Sequence, residues 1–129
     1  MKTNFHTHTT FCDGAGTPEQ MVVSAIEKGF GVLGFSSHSD MVKDLDAYKA
    51  EIRRLAAKYE GKIRILCGIE AEYDTGFKRG DFDYVIGSTH YITAPDGARF
   101  DNLGKGASGA AIQNMNLVLG CAEDEGLVR

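Results

Sequence analysis

Short apolar runs alternate with longer stretches whose apolar residues recur every three or four positions. Runs of about four to eight residues are typical of buried strands, and the three-to-four spacing is typical of amphipathic helices. The predicted strands are Lys2–His6, Val32–Phe35, Ile63–Ile69 and Phe82–Gly87, and the predicted helices between the first three are Pro18–Lys28 and Asp46–Tyr59. This order predicts an α/β fold with about four parallel strands and covering helices.

Both helices carry local sequence signals. In the first, Thr17 is a capping residue, Pro18 suits the first helical position, and Gln20 completes a capping box. Gly29 then provides a stop signal. The apolar stripe of the second helix consists of Tyr48, Ile52, Leu55 and Ala56, and charged residues fill its other side.

The last third of the chain has a different composition. Residues 104–109 are rich in glycine and other small side chains, and Ala110–Leu119 predicts a helix. The segment Cys121–Arg129 is acidic.

Composition limits the classes of function. With 129 residues, 43% of them hydrophobic, the chain fits one globular domain. It has no apolar run long enough to cross a membrane and no signal peptide, and its three cysteines form no CxxC pair, so a cytoplasmic protein without disulfides is expected. The net charge of −4 and the lack of a basic stripe argue against nucleic acid as a partner.

All four histidines lie at predicted strand ends, namely His6, His8, His38 and His90. The third strand ends instead in Glu70, and Asp13 follows the first. The carboxyl ends of parallel strands meet at one edge of the sheet, so this set predicts a site for two or more divalent metal ions.

Single members of this set carry little information. His38 or His90 alone would be an ordinary loop residue, and Glu70 alone could cap a helix or lie on the surface. Glu72 could also take the place of Glu70. The metal interpretation therefore depends on the whole set.

Such a site favours hydrolytic chemistry. Two close metal ions lower the pKa of a bridging water and neutralise the oxygens of a phosphate ester, and a carboxylate such as Glu70 can bridge them. The sequence contains no nucleophile elbow, P-loop or dinucleotide fingerprint that would support another chemistry.

Four segments carry a resemblance to a known family: Phe5–Gly14, Gly34–His38, Gly68–Tyr73 and Asp83–Ile92. With these segments the chain resembles the PHP family of metal-dependent phosphoesterases, and within it the monofunctional histidinol-phosphatases, over about residues 1–98. The resemblance implies part of a distorted (β/α)7 barrel, with two to three sites for Zn, Mn or Fe at the strand ends. It also implies hydrolysis of a small phosphorylated substrate, histidinol phosphate, in histidine biosynthesis.

The resemblance also implies roles for single residues. His6 and His8 are similar to the ligands of the first metal ion, and Asp13 and His38 to those of the second. Glu70 resembles the bridging carboxylate, and His90 the ligand of the third ion. Asp13 and Glu70 are therefore the expected catalytic carboxylates.

The sequence departs from this family in ways that leave alternatives open. Family members are about twice as long, with a further histidine and an Asp-x-His motif downstream, whereas no histidine follows His90 here. The chain could therefore be a phosphatase, a metal-binding protein without catalysis, or a structural fragment of a barrel. Half a barrel leaves sheet edges exposed, so a homo-oligomer is expected.

A second resemblance concerns the C-terminal part. Residues 101–116 are similar to the C-terminal helix region of N-acetyl-gamma-glutamyl-phosphate reductases, although the catalytic cysteine and nucleotide domain of that family are missing. The sequence thus predicts a truncated PHP metal-binding domain, residues 1–98, and an appended loop and helix, residues 99–129, packed on the same domain.

Overall fold

The computed structural model of the protein describes residues 1–72, 77–101 and 120, and it divides the chain into two compact units. The first unit is Met1–Ser88 and the second is Thr89–Arg129. The predicted helix Ala110–Leu119 lies outside the described residues. The predicted division at residue 98 and the packing of the appended segment remain predictions.

The first unit contains a four-stranded parallel sheet with strand order β1-β2-β3-β4. The strands are β1 (Lys2–Asn4), β2 (Phe30–Phe35), β3 (Arg64–Glu72) and β4 (Tyr84–Ser88), and the helices are α1 (Pro18–Glu27) and α2 (Leu45–Lys58). The four strands form half of an α/β barrel, which confirms the predicted fold. None of the described helices is long and apolar enough to cross a membrane.

The second unit contains an antiparallel pair, β5 (Tyr91–Thr93) and β6 (Arg99–Asp101). Asp96 Oδ1 accepts a hydrogen bond from the Ala98 N–H at 3.0 Å, and Gly97 adopts a φ of 85°. Glycine reaches this left-handed conformation without steric cost, so the turn follows from the sequence.

The sheet of the first unit has one apolar face. Leu33 pairs with Ile65 and Phe35 with Cys67, and because these pairs are two residues apart along β2 and β3 they project to the same side of the sheet. The core side chains on the helix-facing side include Leu33, Phe35, Ile65, Cys67 and Ile69, which pack with Val22, Ala25, Tyr48, Ile52 and Leu55 of the helices. Tyr48, Ile52 and Leu55 belong to the stripe predicted for α2, and its fourth member, Ala56, is partly buried against this core. The opposite face of the sheet, which we call the inner face, carries Gly34, Gly68 and Glu70.

The helix termini match their sequence signals. Thr17 Oγ1 accepts the Gln20 N–H at 3.3 Å, and the Gln20 side chain accepts the Thr17 N–H at 2.9 Å, so the predicted capping box is present. In α2 the cap is Asp44, whose Oδ1 accepts the amides of Asp46 and Ala47. The second helix therefore begins one residue before its predicted start.

Several strand ends differ from their predictions: β2 begins at Phe30, two residues early, β4 begins at Tyr84, two residues late, and β1 and β3 differ at their C-terminal ends. The first strand ends at Asn4, because its Oδ1 accepts the His6 N–H at 2.9 Å and removes that amide from the ladder. The third strand continues to Glu72. Its extension pairs with the chain after β2, since the Glu70 N–H donates to Ser37 O at 3.0 Å and the Ser39 N–H to Glu70 O at 2.8 Å. Glu70 thus lies inside β3 rather than at its end.

The loop between β1 and α1 folds back on itself. The carbonyl oxygen of Thr9, a fully buried residue, accepts hydrogen bonds from the amides of Cys12 at 2.9 Å and Gly14 at 3.1 Å. A Cβ atom on Gly14 would lie 2.5 Å from the carbonyl carbon of His8. Only glycine permits this close approach, so Gly14 determines how tightly the loop closes.

Glu19 links the start of α1 to the end of α2. Its carboxylate accepts hydrogen bonds from Lys58, from the Tyr59 hydroxyl at 2.8 Å and from Arg54 at 3.2 Å. The Lys58 ammonium, followed by the Tyr59 hydroxyl, lowers the pKa of Glu19 to about 2.

We predict a pH-dependent contribution of Glu19 to stability. Its pKa is near 2 in the folded protein and about 4.3 in an unfolded chain, so its stabilisation is complete above about pH 4.3 and is lost as the pH falls to about 2. Glu19→Gln should lower the melting temperature slightly at pH 7. The difference from the wild type should vanish near pH 2, and a pH-independent difference measured by calorimetry would contradict the prediction.

We also predict that Gly14→Ala destabilises the protein. The new methyl group would meet backbone atoms of His8 and Thr9 that cannot move independently, which costs about 1–3 kcal/mol. Gly16→Ala is the matched control, since its Cβ would meet only side-chain atoms, of Met21 at 3.0 Å and of Gln20 at 3.9 Å. Urea unfolding should show a clear loss for Gly14→Ala only, and equal stability of the two variants would refute this account of the loop.

Candidate metal centre

Glu70 forms the centre of a histidine cluster at the inner face of the sheet. The residue is 4% exposed, and a single carboxylate oxygen, Oε2, faces three imidazole nitrogens. The distances are 3.1 Å to His6 Nε2, 3.2 Å to His8 Nε2 and 3.3 Å to His38 Nδ1. Nitrogen and oxygen donors so close to one another are the ligands that Zn²⁺, Mn²⁺ and Fe²⁺ take in proteins.

Asp13 lies on the other side of two of these histidines. Its Oδ1 is 3.2 Å from His8 Nδ1, and its Oδ2 is 3.6 Å from His38 Nε2. His8 and His38 therefore each present one ring nitrogen to Glu70 and the other to Asp13. The carboxyl group of Asp13 is 54% exposed, so the cluster has one buried and one solvent-facing carboxylate.

Within the first unit, the donor atoms form two groups that could each hold a metal ion. One group is His6, His8 and Glu70, and the other is His8, Asp13 and His38; within each group the ligand atoms lie within 4.8 Å of one another. His8 belongs to both groups. A neutral imidazole has only one nitrogen lone pair, so His8 can ligate one ion at a time while its other nitrogen donates a hydrogen bond.

The charge states of two side chains suit metal binding. Burial, followed by the charge of His38, lowers the pKa of His8, and this favours the neutral imidazole that a metal ion requires. Burial acts to raise the pKa of Asp13, but hydrogen bonds from Cys12 and from its own backbone, together with His38 and His8, hold it below the usual value. Asp13 is therefore ionised at neutral pH.

Backbone hydrogen bonds hold the two histidine-bearing segments together. The Ser36 N–H donates to Thr7 O at 3.0 Å, and the Thr7 N–H donates to Ser36 Oγ at 3.2 Å. His6 and His8 flank Thr7, while His38 follows Ser36 by two residues. The ligand side chains therefore start from backbones that are already joined.

The structure brings five of the predicted site residues together, namely His6, His8, Asp13, His38 and Glu70. His90 belongs to the second unit, two residues after the end of β4, and its role as a ligand remains a prediction. Sequence reasoning missed Cys12, whose Sγ lies 3.5 Å from His8 Nδ1. The sequence signal for Cys12 is its position next to Asp13, a predicted metal ligand.

Glu72 is a second buried carboxylate, 3% exposed, on the same strand as Glu70. Residues two apart on a strand project to the same face, so both lie on the inner face. Glu70, rather than Glu72, meets the three imidazoles within 3.3 Å. Of the two candidates for the central carboxylate, the geometry favours Glu70.

Two matches cover most of the chain. The family model described as "PHP domain" matches residues 4–126. The probable histidinol-phosphatase of Deinococcus radiodurans is 32% identical over 109 residues, which cover 69% of this chain and 42% of that protein.

A solved structure is similar as well. It is the crystal structure of histidinol phosphate phosphatase from Lactococcus lactis in complex with zinc, L-histidinol and phosphate. Its TM-score is 0.64 at 32% sequence identity, over 70% of this chain and 41% of that one. The chain thus spans about two fifths of the length of these relatives.

The C-terminal part gives short partial matches to a different class of protein. N-acetyl-gamma-glutamyl-phosphate reductase 2 of Nostoc sp. is 54% identical over 44 residues, which cover 34% of this chain and 14% of the reductase. These matches confirm the predicted resemblance of the C-terminal part to such reductases. Since the domain model extends over nearly the whole sequence and the structural similarity covers the first unit's fold, the chain belongs to the PHP domain family.

Proposed function

We propose that the cluster around Glu70 holds divalent metal ions and that the chain hydrolyses a phosphate monoester, with L-histidinol phosphate as the substrate. Membership of the PHP domain family and the zinc, L-histidinol and phosphate in the similar Lactococcus lactis structure support this proposal. The observation that carries it is the convergence of three imidazoles on one buried carboxylate oxygen.

The donor atoms suggest how the ligands would be divided. His6, His8 and Glu70 would hold one ion, Asp13 and His38 would hold a second, and Glu70 would bridge the two. With His8 Nε2 as the ligand, the Nδ1–H group would donate a hydrogen bond to Asp13 Oδ1, which fixes the orientation of the ring. His90 would contribute to a third ion.

Bound divalent ions would supply a hydroxide nucleophile near neutral pH and neutralise charge on the phosphate oxygens. The protein's own carboxylates would have separate roles. Glu70 is buried, so it would keep its geometry while the substrate enters. Asp13 is ionised and faces solvent, so it would accept the proton that the water loses when the hydroxide nucleophile forms.

A second candidate function is metal binding without catalysis. One observation favours it: both donor groups of the first unit include His8, which can ligate only one ion at a time. Fewer ligands per ion weaken binding and loosen geometry, and catalysis is sensitive to geometry at the level of about 1 Å.

The remaining features of the proposed function are predictions from the sequence. Zinc is the metal favoured by the similar structure, and Mn and Fe suit the same donors. A cytoplasmic location, a homo-oligomeric state and the absence of nucleic acid or membrane partners stay predictions. Size-exclusion chromatography with light scattering measures the oligomeric state directly.

Phosphate release from L-histidinol phosphate tests the proposal. We expect turnover with added Zn²⁺ or Mn²⁺, and a loss of at least about 100-fold in His8→Ala and Glu70→Gln, because both changes remove ligands. Glu19→Gln is the control, since Glu19 contacts Lys58, Tyr59 and Arg54 instead of the cluster. Bound metal without turnover would favour the second candidate, and absence of both would refute the two candidates together.

A further inference from the structure

Tyr84 crosses the inner face of the sheet beside the metal centre. It is the first residue of β4 and pairs with Gly68 of β3. Directly paired residues of parallel strands project to the same side, and Glu70 follows Gly68 by two positions. The Tyr84 side chain and the Glu70 carboxylate therefore share the inner face.

Two glycines make room for the aromatic ring. A Cβ atom on Gly68 would lie 2.3 Å from Tyr84 Cζ, and a Cβ atom on Gly34 would lie 2.4 Å from the Tyr84 hydroxyl oxygen. Neither distance leaves space for a methyl group. The ring thus lies flat across β3 and β2, where any other residue in place of either glycine would displace it.

The Tyr84 hydroxyl contacts the backbone of the two segments that carry the histidines. It lies 2.7 Å from the carbonyl oxygen of Phe5 and 3.0 Å from that of Phe35, so its one hydrogen is shared between two acceptors. Burial raises the pKa of Tyr84, so the hydroxyl keeps this hydrogen at every pH relevant to the protein. The ring edge also packs against Phe5, with centroids 5.9 Å apart.

Both peptide groups that receive this hydrogen bond are also held at their amide end. The Phe5–His6 peptide accepts from Tyr84 and donates through the His6 N–H to Asn4 Oδ1 at 2.9 Å. The Phe35–Ser36 peptide accepts from Tyr84 and donates through the Ser36 N–H to Thr7 O at 3.0 Å. Each peptide plane is therefore fixed at both its carbonyl and its amide group. Each of the two peptides comes immediately before a segment that carries predicted metal ligands.

We propose that Tyr84 is a positioning residue of the metal centre, whose hydroxyl fixes the Phe5–His6 and Phe35–Ser36 peptides so that His6, His8 and His38 converge on Glu70. This inference rests on the metal-binding part of the proposed function. It assigns to β4, through Tyr84, a role in a site whose donor atoms in the first unit come from β3 and from the segments after β1 and β2.

Tyr84→Phe tests the proposal, because it keeps the ring over Gly34 and Gly68 and removes only the hydroxyl. We expect zinc affinity, measured by competition with a chromophoric chelator, to fall about tenfold. Residues that do not bind the metal themselves but orient its ligands have effects of this size. The absorption spectrum of the Co²⁺-loaded protein should change as well, since it reports ligand geometry. Tyr59→Phe is the matched control, because it also removes a single tyrosine hydroxyl, one bonded to Glu19.

Amide hydrogen exchange by NMR gives a second measurement that needs no metal. In metal-free Tyr84→Phe we expect the His6 and Ser36 amides to exchange about tenfold faster than in the wild type, because each peptide loses the hydrogen bond from the Tyr84 hydroxyl to its carbonyl oxygen. Amides in the middle of α2 should exchange at the wild-type rate. Faster exchange throughout the protein would instead indicate a global loss of stability and would overturn the proposal.

The outcomes separate this proposal from the proposed function. Wild-type zinc affinity in Tyr84→Phe, or unchanged exchange at His6 and Ser36, would overturn the positioning role and leave the metal centre intact. If the wild-type protein binds no zinc, the proposed function fails, and exchange at these two amides alone then decides whether Tyr84 fixes the peptides. Failure of Tyr84→Phe to fold would also overturn the proposal, because the hydroxyl would then support the whole fold.

Discussion

The site depends on how the protein offsets the loss of hydration of one buried carboxylate, that of Glu70. An ionised carboxylate that leaves water loses several kcal/mol of solvation, even in a relaxed protein interior, unless other groups replace the water. Glu70 is 4% exposed, and its Oε2 faces three imidazole nitrogens at 3.1 to 3.3 Å. A divalent cation held between the carboxylate and these nitrogens would replace the lost hydration by direct coordination. The arrangement therefore suits a metal centre.

The backbone of the first unit supports this arrangement at several points. Pairing of Ser37 and Ser39 with Glu70 extends the sheet beyond β2 and places His38 next to the carboxylate. The tight loop at Gly14 returns Asp13 to His8. Because the histidine-bearing segments are joined by backbone hydrogen bonds, little conformational entropy remains to be lost when a metal ion binds.

Much of the fold could be predicted from the sequence, because strands and helix caps depend on local patterns. The capping box at Thr17 and the stripe of α2 are examples. The gathering of His6, His8, His38 and Glu70 also followed from a general rule, that the carboxyl ends of parallel strands meet. The ends of β1 and β3 could not be predicted, since they depend on the Asn4 side chain and on pairing across the sheet. The contact of Tyr84 with two glycines depends on strand register, which no local pattern contains.

Zinc titration of the metal-free protein, followed by calorimetry and checked by elemental analysis, tests the central claim most directly. The first unit contains two neighbouring donor groups, one of His6, His8 and Glu70 and the other of His8, Asp13 and His38. The account predicts at least two zinc ions per chain, with one of them lost in Glu70→Gln. A stoichiometry of one ion or none would contradict it, because a single ion would leave one of these groups without a ligand role.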